Sequence, residues 1–170
     1  RQKKLQEAVV STRKAIELNP NFAEAHLNLG GIFKDIGKLE DAEISTRKAL
    51  ELNPNLFNSH FLLGTILMGQ KKLQEAELSI RKAIELKPIY AEAYSNLGNI
   101  LKDLGKLKQA ELSLRKAIEL KPDFADAHWN LSLLQLLKGD YKNGLENYEF
   151  RSKTNKTATT HANTNLRKIN

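Results

Sequence analysis

Apolar residues recur along this chain every three to four positions, the spacing of helices that bury one stripe. The whole pattern then repeats. Pro20, Pro54, Pro88 and Pro122 are each 34 residues apart, and the segments leading into them nearly copy one another: AVVSTRKAIELNP, AEISTRKALELNP, AELSIRKAIELKP and AELSLRKAIELKP. A period of this length, filled with Ala, Leu, Glu and Lys, predicts a solenoid of stacked helix pairs.

Phased to begin just after each proline step, the units are 23–56, 57–90, 91–124 and a degenerate 125–155. Residues 1–22 form the second helix of an incomplete unit, and 156–170 form a basic polar tail. In the first full unit, helix A is expected from Ala23 to Ile36 and helix B from about Leu39 to Leu52. Gly37, Gly105 and Gly139 fall where helix A needs a left-handed C-cap.

Numbered from the start of each unit, position 8 is Gly30, Gly64, Gly98 and then Ser132, and position 7 is Leu29, Leu63, Leu97 and Leu131. Position 20 is Ala8, Ala42, Ala76 and Ala110, and position 27 is Ala15, Ala49, Ala83 and Ala117. Small residues at 8, 20 and 27 let helix axes approach closely. These residues resemble the tetratricopeptide repeat over roughly 1–150. The resemblance implies an all-α, right-handed superhelical solenoid of antiparallel helix pairs that binds proteins. Position 4 departs from the family aromatic with His26, His60, Tyr94 and His128, read as substitutes in the core. The last unit departs further. Gly144 replaces an alanine, Arg151 another, and Lys156 the proline. The stretch GDYKNGLENYEFR resembles the last repeat of bacterial tetratricopeptide proteins in which another domain follows.

Function is expected on the face that folding does not use. On a helical wheel, positions 4, 7, 8 and 11 of helix A cluster as core, and positions 2, 6, 9 and 13 lie opposite, facing the concave side. Position 6 reads Asn28, Leu62, Asn96 and Asn130, and Asn99 stands at position 9. A carboxamide both donates and accepts, so it can pair with a peptide unit whatever its side chain. The series is similar to the asparagine ladder in the repeat domain of O-linked N-acetylglucosamine transferase-like proteins, which implies an extended peptide as ligand; Leu62 interrupts it. A solvated or inter-repeat polar face is the other reading. Lys34 and Lys102 recur beside this surface. Phe61, Leu62 and Met68 tend to the exposed side of their helix, either as a pocket for an apolar side chain or partly buried against the next helix A. Trp129, Leu133, Leu136 and Leu137 lie off the stripe of His128, Leu131 and Gln135, so a cover is expected there. The tail residues Leu166 and Ile169, a second copy or a further domain could supply it.

Composition narrows the chemistry. Zero cysteine excludes disulfides, thiolate metal sites and thiol nucleophiles. Of the net charge of +7, residues 151–170 carry five units, and the rest of the chain is nearly balanced, with 22 basic and 20 acidic residues. The pairs Arg13/Lys14, Arg47/Lys48, Arg81/Lys82 and Arg115/Lys116 sit late in each helix B, where cations favour the helix end and face water. Interleaved acids and scarce aromatics argue against nucleic acid as partner. No apolar run of about 18 residues exists for a membrane span, and no leader is visible. The expected home is the cytoplasm. A chain opening on Arg1 rather than Met points to an N-terminus upstream.

No catalytic constellation, cofactor motif or metal set is found. His26, His60 and His128 occupy one repeat position, so neighbouring copies lie ~10 Å or more apart. Gly31 and Gly37-Lys38 have the wrong spacing for a phosphate loop. The expectation is therefore a non-enzymatic scaffold for a protein or extended peptide, of roughly micromolar strength, about −8 kcal/mol. Two alternatives stand beside it: homo-oligomerisation through exposed terminal repeats, and service as the recognition arm of a larger enzyme such as a glycosyltransferase.

Overall fold

The computed structural model describes the backbone of residues 2–154 and the side chains of 4–150. Among these residues there are nine helices: α1 (Gln2–Leu18), α2 (Ala23–Ile36), α3 (Leu39–Leu52), α4 (Phe57–Gly69), α5 (Leu73–Leu86), α6 (Ala91–Asp103), α7 (Leu107–Leu120), α8 (Ala125–Leu137) and α9 (Tyr141–Thr154). They pack as sequential antiparallel pairs. Contact is densest within α2–α3, α4–α5, α6–α7 and α8–α9, and each pair then stacks on the next. The tail 156–170, with Leu166 and Ile169, lies outside the described residues.

The turn inside each pair is set by one left-handed residue. Gly37, Gly105 and Gly139 have φ of 87°, 75° and 81°. The amide after each reaches back into the helix, as in Lys38 N–H to Phe33 O at 2.9 Å and Lys106 N–H to Leu101 O at 2.8 Å. The second repeat makes the same turn with Lys71 at φ 63°, a conformation that costs a residue with a Cβ about 1–2 kcal/mol. The turn between pairs is set by proline. Asn53, Lys87 and Lys121 precede a proline and are extended, with φ near −140°.

Helix B meets helix A through the small residues. Ala42, Ala49, Ala76, Ala83, Ala110 and Ala117 are fully buried. Opposite each glycine of position 8 stands a side chain of helix B: Thr46 against Gly30, Ile80 against Gly64, Leu114 against Gly98. In the last pair Ser132 fills that space, and its counterpart Tyr148 lies half exposed, its ring 5.1 Å from that of Trp129.

Three sequence expectations change. The buried stripe of helix A is wider than the wheel suggests, because positions 3 and 10 face the adjoining helix A; Ala25, Ser59, Ala93, Ala127, Ile66, Ile100 and Leu134 are all buried. The histidines of position 4 are not simple core substitutes. His26, His60 and His128 each place Nε2 within 2.8–3.0 Å of the carbonyl of Pro20, Pro54 and Pro122, clasping the preceding inter-repeat turn. Leu136 does not point outward; it packs on α9 at Gly144.

Candidate functional site

The inward positions of helix A form two recesses on one face. The first, of about 590 Å³, lies between α2 and α4. Leu27, Ile32, Phe61 and Leu62 supply apolar wall, and Asn28, Asn58 and Asp35 supply polar edge. The second, of about 400 Å³, lies between α6 and α8. Asn96, Asn99 and Asn130 converge there with Phe61, Phe124 and Trp129, and with the carboxylates of Glu92 and Asp126. Phe61 borders both recesses. Its ring is braced at 4.8 Å by Tyr90, which in turn meets Phe57 edge-on at 5.6 Å. Burial, helped by the charge of Glu92, pushes the Tyr90 phenol up to about 12, so it stays neutral behind the partition.

The asparagines of this face differ in their ties. Asn28 is exposed, whereas Asn96, Asn99 and Asn130 are half-buried. Asn130 donates from Nδ2 to Ser95 Oγ at a long 3.4 Å. Asn99 Oδ1 is buried and has no hydrogen-bond partner among the described residues. A buried carbonyl oxygen left in this state costs about 1–3 kcal/mol. Leu62 and Phe61 are partly buried against the core and also line the recesses; Met68 packs on the core and lines neither. Trp129 is half-buried at the second recess. Lys34 and Lys102 line neither recess. They reach the flanking Asp35 and Asp103 at 3.4 and 3.9 Å, because position 12 lies one-sixth of a turn or more off the inward face.

Helical phase put position 2, and so Glu92 and Asp126, on the inward face without naming them as binding residues, and it did not reach Phe124. The signal was present in part: acids recur at position 2 as Glu24, Glu92 and Asp126, and an aromatic or large aliphatic residue ends every unit at Phe22, Leu56, Tyr90 and Phe124. Which of these closes over a recess depends on how one pair sits on the next.

The opposite face carries the charge. Arg47, Arg81 and Arg115 face water, as expected, and each also bonds a glutamate of its own helix that a lysine of the next repeat reaches as well. Glu43 accepts from Arg47 of its own helix at 2.8 Å and from Lys72 of the next repeat at 2.9 Å. Glu77 repeats this with Arg81 and Lys106, and Glu111 with Arg115 and Lys138. Bonding to Lys72, with burial opposing and Arg47 adding, lowers the Glu43 carboxyl to about 2. At Glu77 burial works upward and is outweighed by Lys106 and Arg81; at Glu111 Lys138 and Arg115 lower the carboxyl. Lys48, Lys82 and Lys116 pair with Glu51, Glu85 and Glu119. Between these ties Val10, Ile44, Leu78 and Leu112 stand exposed, one per repeat.

Among the described residues no set of three or more His, Asp or Glu is placed to hold a metal, and no helix is long and apolar enough to cross a membrane. The titratable groups with displaced pKa are the phenol behind Phe61 and members of the ion-pair ladder, with no nucleophile beside them.

Comparison with known proteins agrees with the geometry. The family profile described as TPR repeat matches residues 1–37 and 98–139. Profiles described as tetratricopeptide repeat match 80–111, 23–56 and 57–90. No curated protein sequence matches. Among solved structures, MamA is similar with a TM-score of 0.81 at 26% identity, over 90% of each chain. YrrB, described as a TPR protein with an unusual peptide-binding site, is similar with a TM-score of 0.75 at 24% identity, over 92% of this chain and 81% of its own. PilF of Pseudomonas aeruginosa is similar with a TM-score of 0.82 at 24% identity, over 90% of this chain and 70% of its own. The paired helices, their constant period and the profiles that tile residues 1–139 make this chain a member of the tetratricopeptide-repeat family.

Proposed function

We propose that the concave face binds an extended segment of a partner protein, with the amides of Asn96, Asn99 and Asn130 gripping its backbone and Phe61 separating two side-chain seats. The observation that carries this reading is the convergence of three asparagines in one recess, with Asn99 Oδ1 buried and unpaired. A peptide N–H is the donor that such an oxygen lacks. Asparagine is a mediocre helix former, and these residues make few bonds that would repay its presence in helix A. Asn28 and Leu62 extend the face to the first recess, where Leu27, Ile32 and Phe61 suit an aliphatic side chain. In this role the module is a binding scaffold and not an enzyme, and needs no cofactor.

The test is the double variant Asn96→Ala/Asn130→Ala, with partners recovered by pull-down on intact protein and affinities then measured on the recovered segment. Each lost net hydrogen bond weakens binding by about 1 kcal/mol, with helicity and Tm unchanged. Undiminished capture by the double variant refutes the role given to the amides.

Self-association is a second reading with its own observation. Leu18 at one end, and Leu137, Tyr141 and Leu145 at the other, are more than half exposed. Two copies stacked end to end would cover them. Light scattering across a concentration series separates this from a monomer, and Leu137→Glu lowers the measured mass if that end is the interface.

A further inference from the structure

The two recesses differ in chemistry, and the second one selects. Its wall combines three aromatic rings, from Phe61, Phe124 and Trp129, with the carboxylates of Glu92 and Asp126, and no cationic side chain lines it. A planar guanidinium satisfies both kinds of wall, because it stacks on aromatic faces and donates in a fork to carboxylates. We infer that the second recess seats an arginine side chain of the bound segment, with Asp126 as its carboxylate partner and Trp129 and Phe124 as its stacking surfaces. This deepens the groove reading above and rests on it.

The chain itself demonstrates the attraction at the rim. Lys121 Nζ lies 3.5 Å from Glu92 Oε1 and 4.9 Å from the centre of the Phe124 ring. One carboxylate of the recess is thus already answered at the edge by an ammonium. Asp126 has no ion-pair partner among the described residues. Its place in the first turn of α8 favours a negative charge there in any case, but helix stability alone does not require aromatic walls on either side of it. The neighbouring amide oxygens, including the unpaired Asn99 Oδ1, offer further acceptors to a group that carries five donors and no acceptor. A carboxylate side chain in the same seat would meet two like charges, so the recess rejects acidic residues as well as welcoming basic ones.

Trp129 is the chain's only tryptophan, so its fluorescence reports this recess without a label. The probe is a blocked nonapeptide of alternating Ala and Ser with Arg at its centre, compared with analogues carrying citrulline or Glu there. Titrated against the full chain, the Arg peptide is expected to bind about tenfold tighter than the citrulline peptide, and the Glu peptide weakest. Asp126→Asn, whose Tm is measured alongside, abolishes most of the preference for Arg over citrulline. Lys121→Gln has the opposite effect and tightens the Arg peptide, because it releases Glu92. A purely structural role for these residues predicts no such reversal. If all three peptides bind equally, or Asp126→Asn keeps the preference, the arginine seat is wrong while the groove stands. If none of the three binds, both readings fall.

Discussion

Lys72 Nζ lies 2.9 Å from Glu43 Oε2, and that bond joins one repeat to the next. Glu43 is held at the same time by Arg47 from its own helix, so one carboxylate ties the outer helix of a pair to the turn of its neighbour. Glu77 and Glu111 occupy the same place in the following repeats. In a solenoid, stability is a sum of units and the interfaces between them, and this ladder lies on the interfaces.

The first prediction is acid sensitivity. The Glu43 carboxyl is lowered from 4.5 to about 2 in the folded chain, so its contribution is complete above pH 4.5 and is lost as pH falls through about 2. Glu77 and Glu111 shift in the same direction. The cationic partners of these carboxylates are exposed to solvent, so the contribution is discounted to about 1 kcal/mol per carboxylate. Glu43→Gln should be less stable than the parent by about that amount at pH 7, and the two denaturation midpoints should converge as pH falls from 4.5 towards 2. Urea melts at several pH values check this, and added salt should narrow the gap at pH 7.

Two glycines in helix interiors should respond in opposite senses to alanine. A Cβ on Gly98 would lie 2.5 Å from Leu114 Cγ, whereas one on Gly31 meets nothing within 4 Å. Gly98→Ala forces Leu114 aside at a cost of about 1–3 kcal/mol, only partly offset by better helix propensity. Gly31→Ala has the propensity gain alone and should stabilise by up to about 1 kcal/mol. Thermal melts followed by circular dichroism distinguish the two.

The last pair should show a coupled exchange. A Cβ on Gly144 would lie 2.8 Å from Leu136 Cδ2 and 2.9 Å from its Cγ. Gly144→Ala and Leu136→Ala should each destabilise, the first by crowding and the second by about 1–2 kcal/mol of lost burial. Made together they should cost less than their sum, with a coupling of about 0.5–3 kcal/mol. Additive effects in the double-mutant cycle would mean that the two side chains do not share this space.

Much of the fold could be read from residue order, for a physical reason. The prolines at 20, 54, 88 and 122 end every second helix, because they lack an N–H and force the residue before them into extended backbone. The small residues at positions 8, 20 and 27 mark where helices touch. Those are local constraints, and they recur, so three copies reinforce one reading. The candidate site was legible in part. The inward asparagines could be picked out by helical phase alone, and the structure draws Asn96, Asn99 and Asn130 into one recess. Lys34 and Lys102 stand at position 12, a phase that already sets them at the margin of that face, and there each reaches the acid beside it in the chain.

Covalent order by itself determined the helix pairs, their period and the face that the core leaves free, because each follows from backbone geometry and side-chain size within about one repeat. Only the packing of one pair on the next decided the rest. It bridged the glutamates of each helix B to Lys72, Lys106 and Lys138 of the following repeat, and set Phe61 as the wall between an apolar recess and an acidic, aromatic one. Those relationships join atoms about 30 residues apart in the chain, and no local rule of propensity or periodicity reaches that far.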